Sequence, residues 1–498
     1  MQLQLQPQVW DFNLCLTATY LILSLFISFT FALPSASLES MEMDASSADD
    51  GRIRTGTVWT ATAHAFTAIV GSGILALPWS VAQLGWILGP FFLVFFAAVT
   101  YYIAILLCDC YRTPDPVKGR RNYTYMDAVR ALLGPKHVLI SGIMQYSMLW
   151  GIMIGFTITT AISTATIKRS ACFHEKGANA KCKVSGNSYM LAFGALEILL
   201  SQFPNLEKVT FLSVISTLTS LAYALIALCL SIAKFSIQHE AKGTIKVAMA
   251  GEDLATSTKI WQVFQALGNI AFSYTYSMLL LEIQSPQAEN KAMKRVTLYA
   301  IGGTALFYTS LGCMGYAAFG ADVPGNYLTG FYKPLWLVDI ANLAVIIHLI
   351  VGYQVFAQTI FAMNEKSLAT RWQAHGSFFN KIYTVRLQCK QDYSFQFTPS
   401  RLLLRTGFVI FTTLVAMMFP FFNAILGLLG SISFWPLTVY FPLNMYMVQA
   451  NIKRGDSTWI MFQVLSLLCL VVSLVSVIGS VAGMLEHLKH AQLFHINL

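Results

Sequence analysis

Hydrophobic residues run through this chain in stretches of about 20, the length a helix needs to cross a bilayer, and polar residues gather between them. After residue 50 the pattern predicts eleven spanning helices. They fall near 57–78, 86–108, 138–161, 188–203, 209–233, 260–282, 298–319, 335–362, 402–419, 424–449 and 458–483. The run at 188–203 is short, which leaves its ends open. One stretch is interrupted from within: Thr57–Gln83 reads TVWTATAHAFTAIVGSGILALPWSVAQ, with Gly71-Ser72-Gly73 at its middle and Pro78 behind. In water a central Gly costs a helix about 1 kcal/mol relative to Ala. In lipid a break is worse, because the freed N–H and C=O groups need partners that hydrocarbon cannot supply. Irregular backbone at that depth is tolerated where it lines a cavity, and discontinuous helices mark substrate sites in transporters. The pattern points to transport.

Composition agrees with a polytopic membrane protein: 56% of residues are hydrophobic and 11% charged, against roughly 25% charged in soluble domains. The sequence divides into an extension at 1–50, a transporter domain at 51–485 and a tail at 486–498. A net charge of +9 could point to nucleic acid, but its distribution does not. With Arg52 and Arg54 placed in the cytoplasm, alternating the sides puts about two thirds of the 32 Lys and Arg residues on the cytoplasmic side. That is the positive-inside bias. The basicity reports topology, and no nucleic-acid partner is expected.

Two longer loops fall on the opposite side, Thr166–Asn187 and Lys234–Lys259. The first holds Cys172 and Cys182, ten residues apart, which in an oxidising compartment are expected to close the loop as a disulfide, with a pair of free thiols as the alternative. No CxxC pair or Cys/His cluster predicts a metal site; Cys108 and Cys110 form only CxC. Upstream, Asn13–Leu33 is apolar enough for a signal peptide or an additional helix. Met1–Asn13 lacks the basic n-region of a cleaved signal, and cleavage would leave Arg52 outside, against the charge bias. A retained helix fits that bias better, while MEMDASSADDGRIRTG from Met41 also reads as an acidic, unstructured cytoplasmic start. Both readings stay open.

A faint internal repeat supports the break. Shifting the chain by 202 residues lays Val58-Trp59 on Ile260-Trp261 and Gly71-Ser72-Gly73 on Ser273-Tyr274-Thr275, inside IAFSYTYSMLLLE. That second segment is polar at mid-depth through Ser273, Thr275 and Ser277, as an interrupted helix would be. Five spans separate the two starts, so the first and sixth helices run in opposite directions. This is an inverted 5+5 repeat with an eleventh helix appended.

Four segments then carry a more specific likeness: RTGTVWTATAHAFTAIVGSGILALPWSVAQLGWILGP (54–90), DCYRTPDPVKGRRNYTYMDAV (109–129), LGCMGYAAFGADVPGNYLTGF (311–331) and IANLAVIIHLIVGYQVFAQTIF (340–361). They resemble the plant amino acid permeases of the amino acid/auxin permease family, over about residues 50–485. The resemblance implies an all-α polytopic protein of eleven core helices with a LeuT-like inverted repeat and broken helices 1 and 6. It further implies a cytoplasmic N-terminus to the core, a plasma-membrane location, and import of amino acids together with protons. Three features depart from the family pattern: the direct run EIQSPQAENK after the sixth helix, the pair Pro78 and Thr359, and Glu197 within the fourth span. They bear on substrate preference more than on fold.

An amino acid zwitterion must exchange water for protein partners at both charges. A half-helix N-terminus offers the carboxylate N–H donors and a positive dipole end, which makes Ile69, Val70, Gly71, Ser72 and Gly73 the candidates for that role. Carbonyls of an unwound sixth helix, from Phe272, Ser273 and Thr275, are the candidates for the ammonium. The bland alternative is close helix packing through small residues. No cofactor is expected; the coupling ion is a proton. For that proton the candidates are His64, on the face of Gly71 and about 10 Å along the helix, and His348, mid-way along the eighth span. Asp339 shares a face with Asn342 and not with His348. Glu282 is a candidate interfacial ion pair with Lys291, Lys294 or Arg295, and Glu197 a packing residue protonated in place. Asn122-Tyr-Thr is a glycosylation sequon on the cytoplasmic side of this topology, where it stays unmodified. An enzyme would need a motif such as HExxH, which the chain lacks; a receptor or channel does not call for paired helix breaks. A transporter of auxin or another small zwitterion or organic anion is the competing reading on the same scaffold.

Overall fold

The computed structural model describes residues 57–116, 119–177, 182, 184–203, 210–245, 256–283, 289–372, 383–388 and 392–490. The run at 13–33 and the rest of the N-terminal extension lie outside them, as does the side chain of Glu282. Helix α1 (Val58–Ile69) stops just before Gly71. The chain bends there, makes a 3-10 turn over Ser72–Ala76 and enters α2 (Leu77–Asp109). Pro78 lies in the first turn of α2, where a missing N–H costs nothing. Two spans share this one element. They are separated at Gly85, whose φ of 79° is a left-handed conformation that glycine adopts without a Cβ clash. The Trp86 N–H released by that turn donates to the carbonyl of Thr244.

After a two-stranded hairpin, β1 (Arg112–Thr113) with β2 (Arg120–Arg121), come α3 (Tyr125–Leu133), α4 (Pro135–Lys176), α5 (Gly186–Ser201) and α6 (Thr210–Gln238). The sixth predicted span is broken like the first: α7 (Thr256–Ser273) ends, Tyr274–Tyr276 are not helical, and α8 (Ser277–Ile283) resumes. Then follow α9 (Glu289–Phe319) and α10 (Leu335–Trp372). A second hairpin, β3 (Tyr383–Gln388) with β4 (Asp392–Phe397), precedes α11 (Pro399–Met418) and α12 (Phe422–Ser433). A π-helical segment at Phe434–Tyr440 joins α12 to α13 (Phe441–Gln449), and α14 (Ser457–His490) follows. The hydrophobic pattern predicts neither hairpin nor α3, because all three lie in polar connections.

Eight helices among the described residues are long and apolar enough to cross a membrane. The first and sixth predicted spans are not among them as predicted, since each is split into shorter helices, and α5 has only 16 residues. The packing has a two-fold pattern that relates each span to the one five later. Helix α1 packs on α9 as α7 packs on α2, and α12 packs on α4 as α10 packs on α6. The breaks sit side by side, so that a Cβ at Gly73 would stand 2.9 Å from both Phe272 Cδ1 and Ser273 Oγ. Outward faces expose large apolar residues such as Phe91, Leu306, Leu403 and Val464. Lipid, not water, is the medium that suits them.

Asn122 is buried and its Nδ2 donates to the Cys110 carbonyl at 3.0 Å, so the sequon side chain serves the fold. Cys172, near the end of α4, is disulfide-bonded to Cys182.

Candidate functional site

Both helix breaks open on one cavity of about 500 Å³, within the range of small-molecule sites. From the first break it is lined by His64, Ala68, Ile69, Gly71, Ser72 and Gly73, and from the second by Phe272, Ser273, Thr275, Met278, Leu279 and Ile283. The structure thus brings together every residue proposed from the sequence except Val70, which is fully buried in the core and does not line the space. His348 lines it as well, from α10. On the broken spans the lining extends from the breaks back along α1 to His64 and on along α8 to Ile283, so the cavity lies toward the end of the bundle where α1 starts.

The break in the first span is held by two tyrosines that sequence reasoning passed over. Tyr308, fully buried on α9, donates from its hydroxyl to the Ile69 carbonyl at 2.8 Å. Tyr223, on α6, donates to the Gly71 carbonyl at 3.0 Å. These are the carbonyls an unbroken helix would have bonded internally. A tyrosine in mid-span, away from the interfacial belts where the residue normally sits, was the available signal. With these carbonyls engaged, the positive end of the half-helix beginning at Ser72 dominates the field at the break. Ser72 Oγ is buried beside it with no hydrogen-bond partner among the described residues.

The second break is satisfied more locally. Tyr274 N–H donates to the Ala271 carbonyl and Thr275 N–H to that of Phe272, in tight turns. Ser273 and Thr275 return their hydroxyls to the carbonyls of Asn269 and Ala271. Each of these hydroxyls, its hydrogen engaged, keeps its oxygen lone pairs as acceptors beside the backbone carbonyls proposed for the ammonium.

His348 is buried against α6, with Nδ1 3.0 Å from both the hydroxyl and the carbonyl oxygen of Ser216, and the ring of Tyr223 packs edge-on to it. His64 is exposed on the cavity. Among the described residues these two are the titratable side chains of the lining, which holds no Asp, Glu, Lys or Arg. A charged ligand therefore meets backbone dipoles and imidazole, not a formal counter-charge. The remaining wall is apolar, and Gly352 permits part of it: a Cβ there would lie 3.0 Å from Phe156 Cε2. Phe156 and Phe356 face each other with ring centroids 6.0 Å apart.

Asp339 and Glu197 lie outside the cavity. Asp339 accepts a hydrogen bond from Ser170 at 2.9 Å, and Asn342 donates to the Val338 carbonyl. Among the described residues no group of His, Cys, Asp and Glu could hold a metal ion.

A family model described as transmembrane amino acid transporter protein matches residues 54–486. Amino acid permease 2 of Arabidopsis thaliana is 49% identical over 452 residues, covering 89% of this chain and 90% of that protein. Amino acid permease 4 of the same plant is 49% identical over 451 residues, covering 89% and 96%. Among solved structures, MhsT in complex with L-phenylalanine aligns with a TM-score of 0.48 and 12% identity, over 86% of this chain and all of that one.

Proposed function

From a chain that belongs to the transmembrane amino acid transporter family, and that forms a multi-pass membrane protein which is not an enzyme, we propose a plasma-membrane symporter that imports amino acids with protons by alternating access. The observation that carries this reading is the meeting of two broken helices in one cavity whose lining, among the described residues, has no Asp, Glu, Lys or Arg. A zwitterion is the ligand such a site suits. Its carboxylate takes N–H donors at Gly71–Gly73, where the half-helix begins and the Ser72 hydroxyl lacks a partner. Its ammonium takes carbonyls at the end of α7, the negative end of that helix. Its side chain lies against Phe156, Met148, Phe356 and their neighbours.

The positive-inside bias places the start of α1 in the cytoplasm, so the cavity belongs to the cytoplasmic half and this conformation is inward-facing. The proton is assigned to His64, which water reaches through the cavity, with His348 as the second candidate. In a symporter, proton and substrate stabilise the same conformation, and each raises the other's affinity by an equal factor. Uptake should therefore rise as external pH falls.

The test is substrate-dependent inward current, with uptake measured in parallel, in a cell without its own activity and in Na⁺-free medium. As external pH falls from about 7.5 to 5.5, across the reference histidine pKa, current and uptake increase together in the parent. His64→Ala flattens that dependence, and His348→Ala does so more weakly. A flat parental profile, or transport that stops without Na⁺, overturns proton coupling. An unchanged profile in His64→Ala removes His64 from it. Competition by an indole carboxylate that displaces amino acids would move the substrate class to organic anions.

A further inference from the structure

Glu197, on α5, is the one fully buried carboxyl among the described residues. It lies outside the substrate cavity. Gln354 Nε2, from α10, donates to Glu197 Oε2 at 2.6 Å, while Glu197 Oε1 is buried with no hydrogen-bond partner among the described residues. The same Nε2 lies 3.3 Å from the Glu197 carbonyl oxygen, so one amide of α10 holds both the side chain and the backbone of Glu197. An ionised carboxylate there would face low-dielectric protein with one neutral amide and a bare oxygen, an arrangement that favours the neutral acid.

The groups around it come from every helix packed against α5. On α10 they are Gln354 and Tyr353, whose hydroxyl is shared with Thr412 of α11. On α11 the nearest cation is Arg405, which donates to the Ser201 carbonyl at 2.6 Å and pairs with Glu365 at 2.9 Å. On α4 there is no charged residue between Val138 and Ile167, and Tyr146 lines a separate groove with Met126 and Trp150. Ser201 Oγ also lies 3.1 Å from Gln354 Nε2. A continuous polar chain therefore runs from Glu197 through Gln354, Ser201 and Arg405 to Glu365, whose other partner, Arg401, reaches solvent. Ser201 is one helical turn beyond Glu197, about 6 Å along the axis.

We propose that Glu197, with Gln354, is a second proton-binding site, separate from the substrate cavity and opened or closed by the position of α10. The helix that supplies Gln354 also supplies His348, Gly352 and Phe356 to the cavity wall. Movement of α10 during the cycle carries the amide away from Glu197 and opens the acid to water beside Ser201, where it gives up its proton. Its return with the proton restores the contact between Gln354 and Glu197. The site's ligand is the proton itself. This rests on the proton-symport reading above.

The test compares the charge moved per amino acid taken up, from simultaneous current and labelled uptake, in the parent and Glu197→Gln at equal surface level. Loss of one charge per amino acid, with substrate affinity kept within about two-fold, supports the site; an unchanged ratio and pH profile overturns it. If Glu197→Gln does not reach the surface, Gln354→Met removes the amide at similar volume. A displaced acid limb of the pH profile then supports the proposal, and an unmoved limb overturns it. Failure of the symport reading is distinguishable, because the parent itself would then show no pH-dependent current.

Discussion

Gly71 and Gly73 lie two residues apart in the same break, yet a side chain would act differently at each. A Cβ at Gly71 meets nothing within 4 Å, so Gly71→Leu projects into the cavity without disturbing the fold. A Cβ at Gly73 would press on Phe272 and Ser273 at 2.9 Å, so Gly73→Leu pushes the two broken helices apart. Gly71→Leu is expected to reach the surface normally and lose more than ten-fold of uptake; Gly73→Leu should lose both uptake and thermal stability in detergent. Parental uptake in Gly71→Leu would remove the carboxylate from this half-helix. The tyrosines give a second comparison. Tyr308→Phe strands the buried Ile69 carbonyl, a loss of about 1–3 kcal/mol, and should lower the melting temperature. Tyr223→Phe leaves the Gly71 carbonyl its bond from the Ile74 N–H, beside a cavity where water can supply the second, so its stability loss should be smaller and its uptake loss larger. Equal melting temperatures for the two variants would deny that difference.

At the scale of helices, the spans and both breaks were legible because bilayer thickness and backbone satisfaction leave few alternatives. The ends of the first halves, Ile69 and Ser273, are 204 residues apart, two from the register read by shifting the sequence. The partners of the broken backbone were not legible. Tyr223 and Tyr308 come from helices far along the chain, and no local pattern links them to Gly71 or Ile69. Gln354 reaches Glu197 in the same way, across 157 residues. Val70, proposed as an N–H donor, does not line the cavity, and its N–H already donates to the Phe66 carbonyl, a pairing the sequence did not show. The loop after α4 offers the prediction proper to this scale. Closing a ten-residue separation removes freedom from the unfolded chain worth about 3 kcal/mol in the chain-entropy account. Non-reduced peptides from intact cells should contain Cys172 linked to Cys182, and Cys172→Ser should lower the melting temperature. Recovery of both as alkylated free thiols would refute the bridge.

For the whole molecule, the position of the cavity corresponds, in the proposed topology, to an inward-facing conformation. On the broken spans its lining extends from the breaks back along α1 to His64 and on along α8 to Ile283, which in the proposed topology is the cytoplasmic side. Toward the other face the path is filled: Gly73 abuts Phe272 and Ser273, and Tyr274 and Tyr308 are fully buried with their rings in edge contact at 5.4 Å. A ligand could reach the breaks from outside only after these contacts part. An outward-facing state must therefore separate the two breaks, and external substrate with protons is what should favour it. His64→Cys converts this into an accessibility measurement, since position 64 is exposed on the cavity and not wedged in its wall. A membrane-impermeant thiol reagent should modify it at least ten-fold faster in inside-out vesicles than in right-side-out ones, with the parent protein as the control for native cysteines. Equal rates from both sides would mean that the filled path does not close the protein, and faster reaction from outside would invert the topology.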